Sequence, residues 1–343
     1  MYLVVKLAVR GVIVSPMIEA RVQRAWRSPG VFAIDYPPEN LLDDVRYLGL
    51  TEEIWMAWSP AQLALRERLI AAAKDDPRIV GLLCDGSHSA GRGDEWSDLD
   101  VSVFVRDDDF DLFSDDWRVW AANFGDILLG YISWVGHPWV VYAAEPVPLR
   151  VDFDLHRAST IDAVRDWPSS VTSRDVALWY DDTGEQLANA VDALVGRSLA
   201  PDDLSAAFEQ QCGDFWYEAL YVHSRLQRGE GWIARQAFHY RAMEPLLRLL
   251  RLEAGAIERW QASPSATGLE AVLTAERLSQ LDRCIPGPGD AELARALHEA
   301  ARLAYAVCES VADQHHWEWP ERLAIRVIRL IDSAAAASRK GDS

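Results

Sequence analysis

Two aspartates at alternate positions, Asp98 and Asp100, are the residues of this sequence most suited to chemistry. Residues i and i+2 of a β-strand project to the same side. The two carboxylates are therefore expected to lie together, while Leu99 and the valines that follow face the core. Carboxylates held side by side repel each other unless a cation lies between them, and Mg²⁺ is the usual cation where a substrate carries phosphates. The pair predicts a magnesium site.

The segment before this pair contains a turn suited to binding phosphate. Residues 79–84 form a short apolar run that predicts a buried strand. Gly86-Ser87 follows, and a tight turn there lets backbone N–H groups and the Ser87 hydroxyl approach a phosphate chain. His88, in the same loop, either contacts a phosphate or faces solvent.

Two further β-rich runs, 138–144 and 147–155, flank Glu145-Pro146 and predict a hairpin. Apolar and polar residues alternate along the second run, so that one face is apolar. The other face carries Arg150, Asp152, Asp154 and His156. This face can supply a third carboxylate, from either Asp152 or Asp154.

The region from the first strand to the aspartate pair resembles the signature of the DNA polymerase β-like nucleotidyltransferase superfamily. The most similar branch modifies antibiotics, namely aminoglycosides and lincosamides. The matching positions are Gly86, Ser87, Gly91, Ser97, Asp98 and Asp100. One departure is Ser89, where many members carry alanine, and this exchange of small residues leaves the resemblance intact.

The resemblance implies a site and a reaction. Asp98, Asp100 and Asp152 would be the catalytic, Mg²⁺-binding acids, because Asp152 stands where the family places its third carboxylate; Asp154 is the alternative. Gly86, Ser87 and Ser97 would bind the nucleotide, which is ATP or another NTP. The product would be a nucleoside monophosphate ester of the acceptor, with release of pyrophosphate.

Charge and composition restrict the class of partner. The 343 residues carry a formal net charge of −19, which argues against nucleic acid as the substrate, since binding its backbone needs a basic face. Acidic residues surround the aspartate pair in sequence and favour a small cationic acceptor. They are Asp94, Glu95, Asp107, Asp108, Asp109, Asp111, Asp115 and Asp116.

The same composition bears on cellular location. No apolar run approaches the length of a membrane span, and no signal peptide is expected at the amino terminus. The four cysteines, scattered without ligand or disulfide spacing, favour a reducing cytoplasm. The sequence does not indicate an oligomeric state.

Element patterns predict an α+β chain. Residues 1–50 form an extension of uncertain nature, 51–200 a catalytic domain with a mixed β-sheet flanked by helices, and 201–337 a helical, substrate-binding bundle. Within this bundle, Glu230 and Trp232 are candidates for binding an ammonium group and a ring of the acceptor. Both also have structural interpretations, as an acid at a helix start and as a packing residue.

These observations together predict a Mg²⁺-dependent nucleotidyltransferase that places AMP, or another NMP, on a hydroxyl of a small cationic molecule of the aminoglycoside type. The alternative is a regulatory enzyme of the toxin–antitoxin kind that modifies a protein. A third interpretation, an inactive nucleotide-binding module, gives no reason to keep three mutually repelling acids. The nature of the acceptor is not determined by the sequence.

Overall fold

A computed structural model describes residues 58–258, 260 and 264–341 of the chain. The chain divides into two compact units. The first comprises the described residues up to Trp167 together with Val171–Gly196, and the second comprises Pro168–Ser170 and the described residues from Arg197 onward. The sequence placed this change of unit at residue 200. The expected extension over residues 1–50 lies outside the described residues.

The first unit contains a mixed sheet, six-stranded in its described part, with the order β3-β4-β5-β2-β1-β6. The pair β2–β5 is parallel and the other neighbours are antiparallel. The strands are Ile79–Asp85 (β1), Leu99–Val105 (β2), Ile127–Ile132 (β3), Pro138–Tyr142 (β4), Leu149–Arg157 (β5) and Leu178–Asp181 (β6). The hairpin predicted around Glu145-Pro146 is β4–β5.

Strands β1 and β2 are apolar along nearly their whole length because both faces of the sheet are covered there. One face packs under Leu65 and Leu69, and the other packs against Ile161 and Leu187. A strand buried on both faces gains from apolar residues at every position rather than at alternate ones. The catalytic candidates therefore lie at the end of the best-packed part of the sheet.

Helices cover the sheet. In the first unit they are Pro60–Asp75 (α1), Gly86–Ser89 (α2), Phe110–Asp115 (α3), Trp117–Ala121 (α4), Arg174–Ala177 (α5) and Gln186–Asp192 (α6). Helix α1 begins with a capping box, in which the Ser59 hydroxyl accepts from the Gln62 N–H and the Gln62 side chain accepts from the Ser59 N–H. Pro60 occupies the first turn, where no N–H is needed.

The second unit is helical, as the sequence predicts. Its helices are Leu204–Gln227 (α7), Gly231–Ala237 (α8), Met243–Glu253 (α9), Leu269–Val272 (α10), Ala275–Arg283 (α11), Asp290–His315 (α12) and Glu321–Gly341 (α13). A π-helical turn, Phe238–Ala242, separates α8 from α9 shortly before Pro245. Proline has no N–H to donate to the preceding turn, so regular helical bonding cannot continue unchanged there. No helix among the described residues is long and apolar enough to cross a membrane.

Candidate active site

Three carboxylates meet at one end of strands β2 and β5. Asp98 immediately precedes β2, and Asp100 is its second residue. In the parallel register Asp100 lies opposite Asp152 of β5, and in the antiparallel register with β1 it lies opposite Asp85. The structure thus brings Asp98, Asp100 and Asp152 together.

Burial and the charges of neighbouring carboxylates raise the pKa values of Asp100 and Asp152. Burial, followed by the charges of Asp98 and Asp152, raises the pKa of Asp100 to about 7. Burial and then the charge of Asp98 raise the pKa of Asp152 to about 6. The Arg150 guanidinium opposes both shifts and lies 3.3 Å from Asp98, measured from Nη2 to Oδ2. Within the described residues, the Arg150 guanidinium is paired with Asp98 and leaves Asp100 and Asp152 without an ion-pair partner.

The donor set suits a magnesium ion bound together with a nucleotide. Among the described residues no group of three or more His, Cys, Asp or Glu side chains is arranged to hold a metal ion by itself. Mg²⁺ seldom uses such a cage, since it retains waters and takes one or two carboxylates together with substrate phosphate oxygens. Asp98 and Asp100 could provide those two carboxylates, and a cation bound there would offset the burial and the neighbouring negative charges that raise the pKa of Asp100.

The turn after β1 is built around a close approach of backbone to carboxylate. Gly86 has φ +68°, and a Cβ at this position would collide with the carboxylate of Asp100. Glycine is therefore required both by the backbone conformation and by the space available. Beside it, the Ser87 hydroxyl oxygen is buried and has no hydrogen-bond partner in the described part of the chain. A phosphate oxygen would satisfy it.

Gln62 of α1 fixes the loop between this turn and β2. Its side chain is fully buried, and its Nε2 donates to the carbonyl oxygens of Asp94, at 3.0 Å, and Ser97, at 2.8 Å. The same nitrogen lies 3.2 Å from His88 Nε2. One amide thus ties the helix to both halves of the loop that carries the phosphate-binding candidates.

His88 is not a solvent-facing loop residue. Its ring is buried, 4.1 Å from the Trp58 ring between centroids, and burial lowers its pKa to about 4. Facing the Gln62 amide, Nε2 must be the unprotonated nitrogen, so the proton lies on Nδ1. Nδ1 is buried against Gly93 without a hydrogen-bond partner among the described residues. His88 supports the loop from inside.

The other nucleotide-binding candidate, Ser97, has its hydroxyl engaged within the loop. The Ser97 hydroxyl donates to the Asp94 carboxylate at 3.0 Å and accepts from the Asp94 N–H at 3.0 Å. These contacts shape the approach to Asp98. Direct binding of the nucleotide by Ser97 remains a prediction.

Asp154, the alternative third acid, lies between two histidines. Its carboxylate oxygens are 2.7 Å from His137 Nδ1 and 3.0 Å from His156 Nε2. These contacts are ion pairs only when the histidines are protonated, and the directions at Asp154 Oδ1 and His156 Nε2 do not fit hydrogen bonds. Asp152 has no ion pair with a basic side chain in the described chain, so it is the more available of the two carboxylates.

Much of the acidic run lies away from these carboxylates. Asp107 follows the far end of β2, about 20 Å from Asp100 at the usual rise of a strand. There it accepts from the Ser159 N–H, and Asp111 pairs with Arg157 at 2.5 Å. Residues 107–116 therefore lie toward the opposite end of β2. The proximity of these acids to Asp98 and Asp100 in sequence suggested an acidic cleft, but in the fold residues 107–116 do not contribute to one around that pair.

Glu230 and Trp232 belong to the second unit. Glu230 immediately precedes α8 and pairs with Arg225 of α7 at 2.7 Å. The hydrogen bond from Arg225 lowers the pKa of this carboxyl. Trp232 is 87% exposed, so it is not a packing residue. Binding of the acceptor by this pair stays a prediction.

Sequence reasoning missed Gln62 and the roles of Arg150 and His137. The Ser59-Pro60-Ala61-Gln62 pattern is a capping-box signature and indicated a helix start. Nothing in it indicated that the same glutamine amide also reaches the loop before β2. Arg150 was placed on the correct face of its strand, but its contact with Asp98 depends on the pairing of strands distant in sequence.

Comparison with known proteins gives a family match. The model of the streptomycin adenylyltransferase family matches residues 149–333, from the start of β5 into α13. The matched range contains Asp152, Asp154, Glu230 and Trp232. The comparison with curated protein sequences finds no match.

Two solved structures are similar to this chain. An aminoglycoside 6-adenyltransferase from Bacillus subtilis has 15% sequence identity, with 83% of this chain and 98% of that chain covered and a TM-score of 0.38. A nucleotidyltransferase-like protein from Exiguobacterium sibiricum 255-15 has 15% identity, with 73% of this chain and 77% of that chain covered and a TM-score of 0.32.

Replacing Gln62 with leucine should loosen the loop. The carbonyl oxygens of Asp94 and Ser97 would lose their donor while partly buried, at a cost of about 1–3 kcal/mol in the free energy of unfolding. Urea denaturation measures this cost, and amide hydrogen exchange over residues 86–97 should accelerate. Gln186→Leu, at an exposed position of the same unit, is the matched control. Unchanged stability and exchange in Gln62→Leu would show that the clamp is unimportant.

Asp100 should make the metal-free protein less stable as pH rises. Its pKa is about 7 in the folded protein against an ordinary value of 3.8, so between these values the folded state binds more protons than the unfolded state. Stability therefore falls from about pH 4 to pH 7, by on the order of 3 kcal/mol from this group. Asp100→Asn should flatten that fall and melt at or above the wild-type temperature at pH 8.

The measurement is thermal unfolding in EDTA from pH 4 to pH 8. Asp115→Asn, an exposed aspartate of the same unit, should behave like the wild type. An equally steep decline in Asp100→Asn would assign the pH dependence to other groups.

Proposed function

The chain belongs to the streptomycin adenylyltransferase family, and from this we propose that it transfers AMP from ATP to a hydroxyl group of a small cationic acceptor of the aminoglycoside type. The family match confirms the expected antibiotic-modifying branch and makes the protein an adenylyltransferase. The observation that carries the proposed chemistry is the register that sets Asp152 opposite Asp100, beside Asp98.

We propose that Asp98 and Asp100 hold Mg²⁺. When bound, the ion neutralises charge on the triphosphate oxygens and orients the α-phosphorus for in-line attack. The buried, unpartnered Ser87 hydroxyl donates to an oxygen of the leaving pyrophosphate, and the Gly86 backbone allows the phosphates to come close. The hydroxyl of Ser97 holds the loop between Ser87 and Asp98 in its conformation through its contacts with Asp94.

Asp152 is proposed to accept the proton of the acceptor hydroxyl. The hydroxyl oxygen forms a bond to the α-phosphorus, the bond from that phosphorus to the pyrophosphate oxygen breaks, and the hydroxyl proton passes to Asp152. With a pKa of about 6, this carboxyl is largely ionised near pH 7 and is a stronger base than an ordinary aspartate. Membership in the metal shell is the alternative role for Asp152.

The acceptor is proposed to be cationic because the chain carries a net charge of −19 and the three acids are incompletely neutralised. Glu230 and Trp232 are proposed to contact it. Glu230 would have to exchange Arg225 for an ammonium group of the acceptor, whereas the exposed indole of Trp232 is available for stacking on a ring.

The direct test is incubation of the purified protein with each NTP, Mg²⁺ and a panel of aminoglycosides and lincosamides, followed by mass spectrometry for an added NMP. We expect AMP on an aminoglycoside, and no product with Asp100→Asn. Transfer to a protein instead would support the regulatory alternative. Absence of transfer to any acceptor would contradict the proposal.

Asp152→Asn and Asp154→Asn separate the base from its neighbour. Loss of the base should lower kcat about 10²–10⁴-fold while leaving calorimetric MgATP affinity nearly unchanged. Asp154→Asn should cost much less, since His137 and His156 lie against that carboxylate. If Asp154 contacts the acceptor, the loss should appear mainly as a raised KM for a cationic acceptor. Loss of MgATP affinity in Asp152→Asn would place Asp152 in the metal shell. Inactivity of Asp154→Asn with near-normal Asp152→Asn would exchange the two assignments.

A further inference from the structure

We infer that Arg150 exchanges partners during binding: it neutralises Asp98 in the nucleotide-free enzyme and moves to the triphosphate when the magnesium–nucleotide complex enters. The inference rests on the proposed function for its nucleotide. It goes further by giving Arg150 two roles, as a competitor of the metal ion and as a ligand of the phosphates.

The position of Arg150 follows from strand alternation. It precedes Asp152 by two residues on β5, so both side chains lie on the face that carries the acids. Its Nη2 is 3.3 Å from Asp98 Oδ2, and Asp98 is its single ion-pair partner in the described part of the chain. The guanidinium also acts electrostatically on Asp100 and Asp152. One cation thus serves all three acids.

The contact is one that can be released. The side chain of Arg150 is 62% exposed and that of Asp98 34% exposed, and exposed ion pairs contribute only about 0–1 kcal/mol. Arg150 also borders a groove whose wall includes Trp96, Pro146 and Pro148. Because most of the Arg150 side chain is exposed, the guanidinium can change direction without disturbing the core.

The guanidinium and a metal ion cannot share Asp98 without cost. Each is a cation, and two cations on one carboxylate repel each other strongly at a separation of about 4 Å when water is partly excluded. A nucleotide changes this balance because it brings several negative charges with the metal. Phosphate oxygens match the planar fork of arginine and accept two parallel hydrogen bonds from it. The released guanidinium therefore has a better acceptor nearby.

One consequence is an order of binding. Without nucleotide, Arg150 opposes binding of the free ion at Asp98. With nucleotide, metal and phosphates enter together, and the cation that opposed the metal becomes a ligand of the phosphates. Removal of the Arg150 charge should therefore change the affinities for free metal and for nucleotide in opposite directions, which a purely structural role would not do.

The first measurement is binding of Mn²⁺ without nucleotide or acceptor, followed by electron paramagnetic resonance of the free ion. At low ionic strength Arg150→Gln should bind Mn²⁺ about two- to fivefold more tightly than the wild type, and high salt should shrink the difference because it screens an exposed pair. Arg150→Lys, which keeps the charge, should stay close to the wild type. Arg106→Gln removes the exposed Arg106–Asp182 pair at 3.6 Å and should leave Mn²⁺ binding unchanged.

The second measurement is calorimetric affinity for the magnesium complex of an ATP analogue with a methylene group between the α- and β-phosphates. Arg150→Gln should bind it about 10- to 100-fold more weakly, through loss of a charge-assisted contact, and Arg150→Lys should fall between. If Arg150→Gln binds Mn²⁺ no more tightly than the wild type, or if neither protein binds Mn²⁺, the proposed competition between Arg150 and the metal would be overturned. Unchanged analogue affinity would overturn the transfer to phosphate.

Neither measurement uses an acceptor. Failure of the wild type to transfer AMP to any acceptor would therefore refute the proposed function while leaving both affinity changes in place. If the wild type transfers AMP but Arg150→Gln shows neither tighter Mn²⁺ binding nor weaker analogue binding, only the proposed role of Arg150 would be refuted.

Discussion

Repulsion among three carboxylates on adjacent strands is the interaction on which the rest of the first unit depends. Burial, together with the charge of Asp98, raises the pKa of both Asp100 and Asp152. Left to themselves such groups would move apart into water. The parallel ladder between β2 and β5, with apolar packing on both faces of β1 and β2, holds them at one end of the sheet. The apolar core thus holds together carboxylates whose mutual repulsion would be reduced by a bound cation.

The loop beside these acids is held by contacts of a different kind. A buried amide of α1, Gln62, donates to two carbonyl oxygens of the loop, and the neutral ring of His88 packs against Trp58 underneath. Gly86 lets the backbone pass against the Asp100 carboxylate. The loop is therefore held in shape by contacts within the protein, and if it binds phosphates, this preorganisation lowers the ordering cost of that binding.

Neighbouring basic side chains and histidines distinguish the carboxylates that are engaged from those that are not. Asp154 is engaged by two histidines, and Glu230 by Arg225. Asp98 is shared with the exposed guanidinium of Arg150. Asp100 and Asp152 are the acids of this group without an ion pair to a basic side chain in the described chain. The distribution of basic partners, more than the number of acids, therefore distinguishes Asp100 and Asp152 from the other acids of this group.

The sequence by itself determined the local features. Strand alternation places Asp98 with Asp100 and places Asp152 on the polar face of β5, and the resemblance gives the class of reaction; both depend on residues close together in the chain. The tertiary structure decided what depends on distant segments. Only strand order and register set Asp152 opposite Asp100, brought Arg150 to Asp98 and put residues 107–116 at the far end of β2. Likewise, a capping pattern indicated that Gln62 starts a helix, but only packing of that helix on the sheet carries its amide to a loop more than thirty residues away.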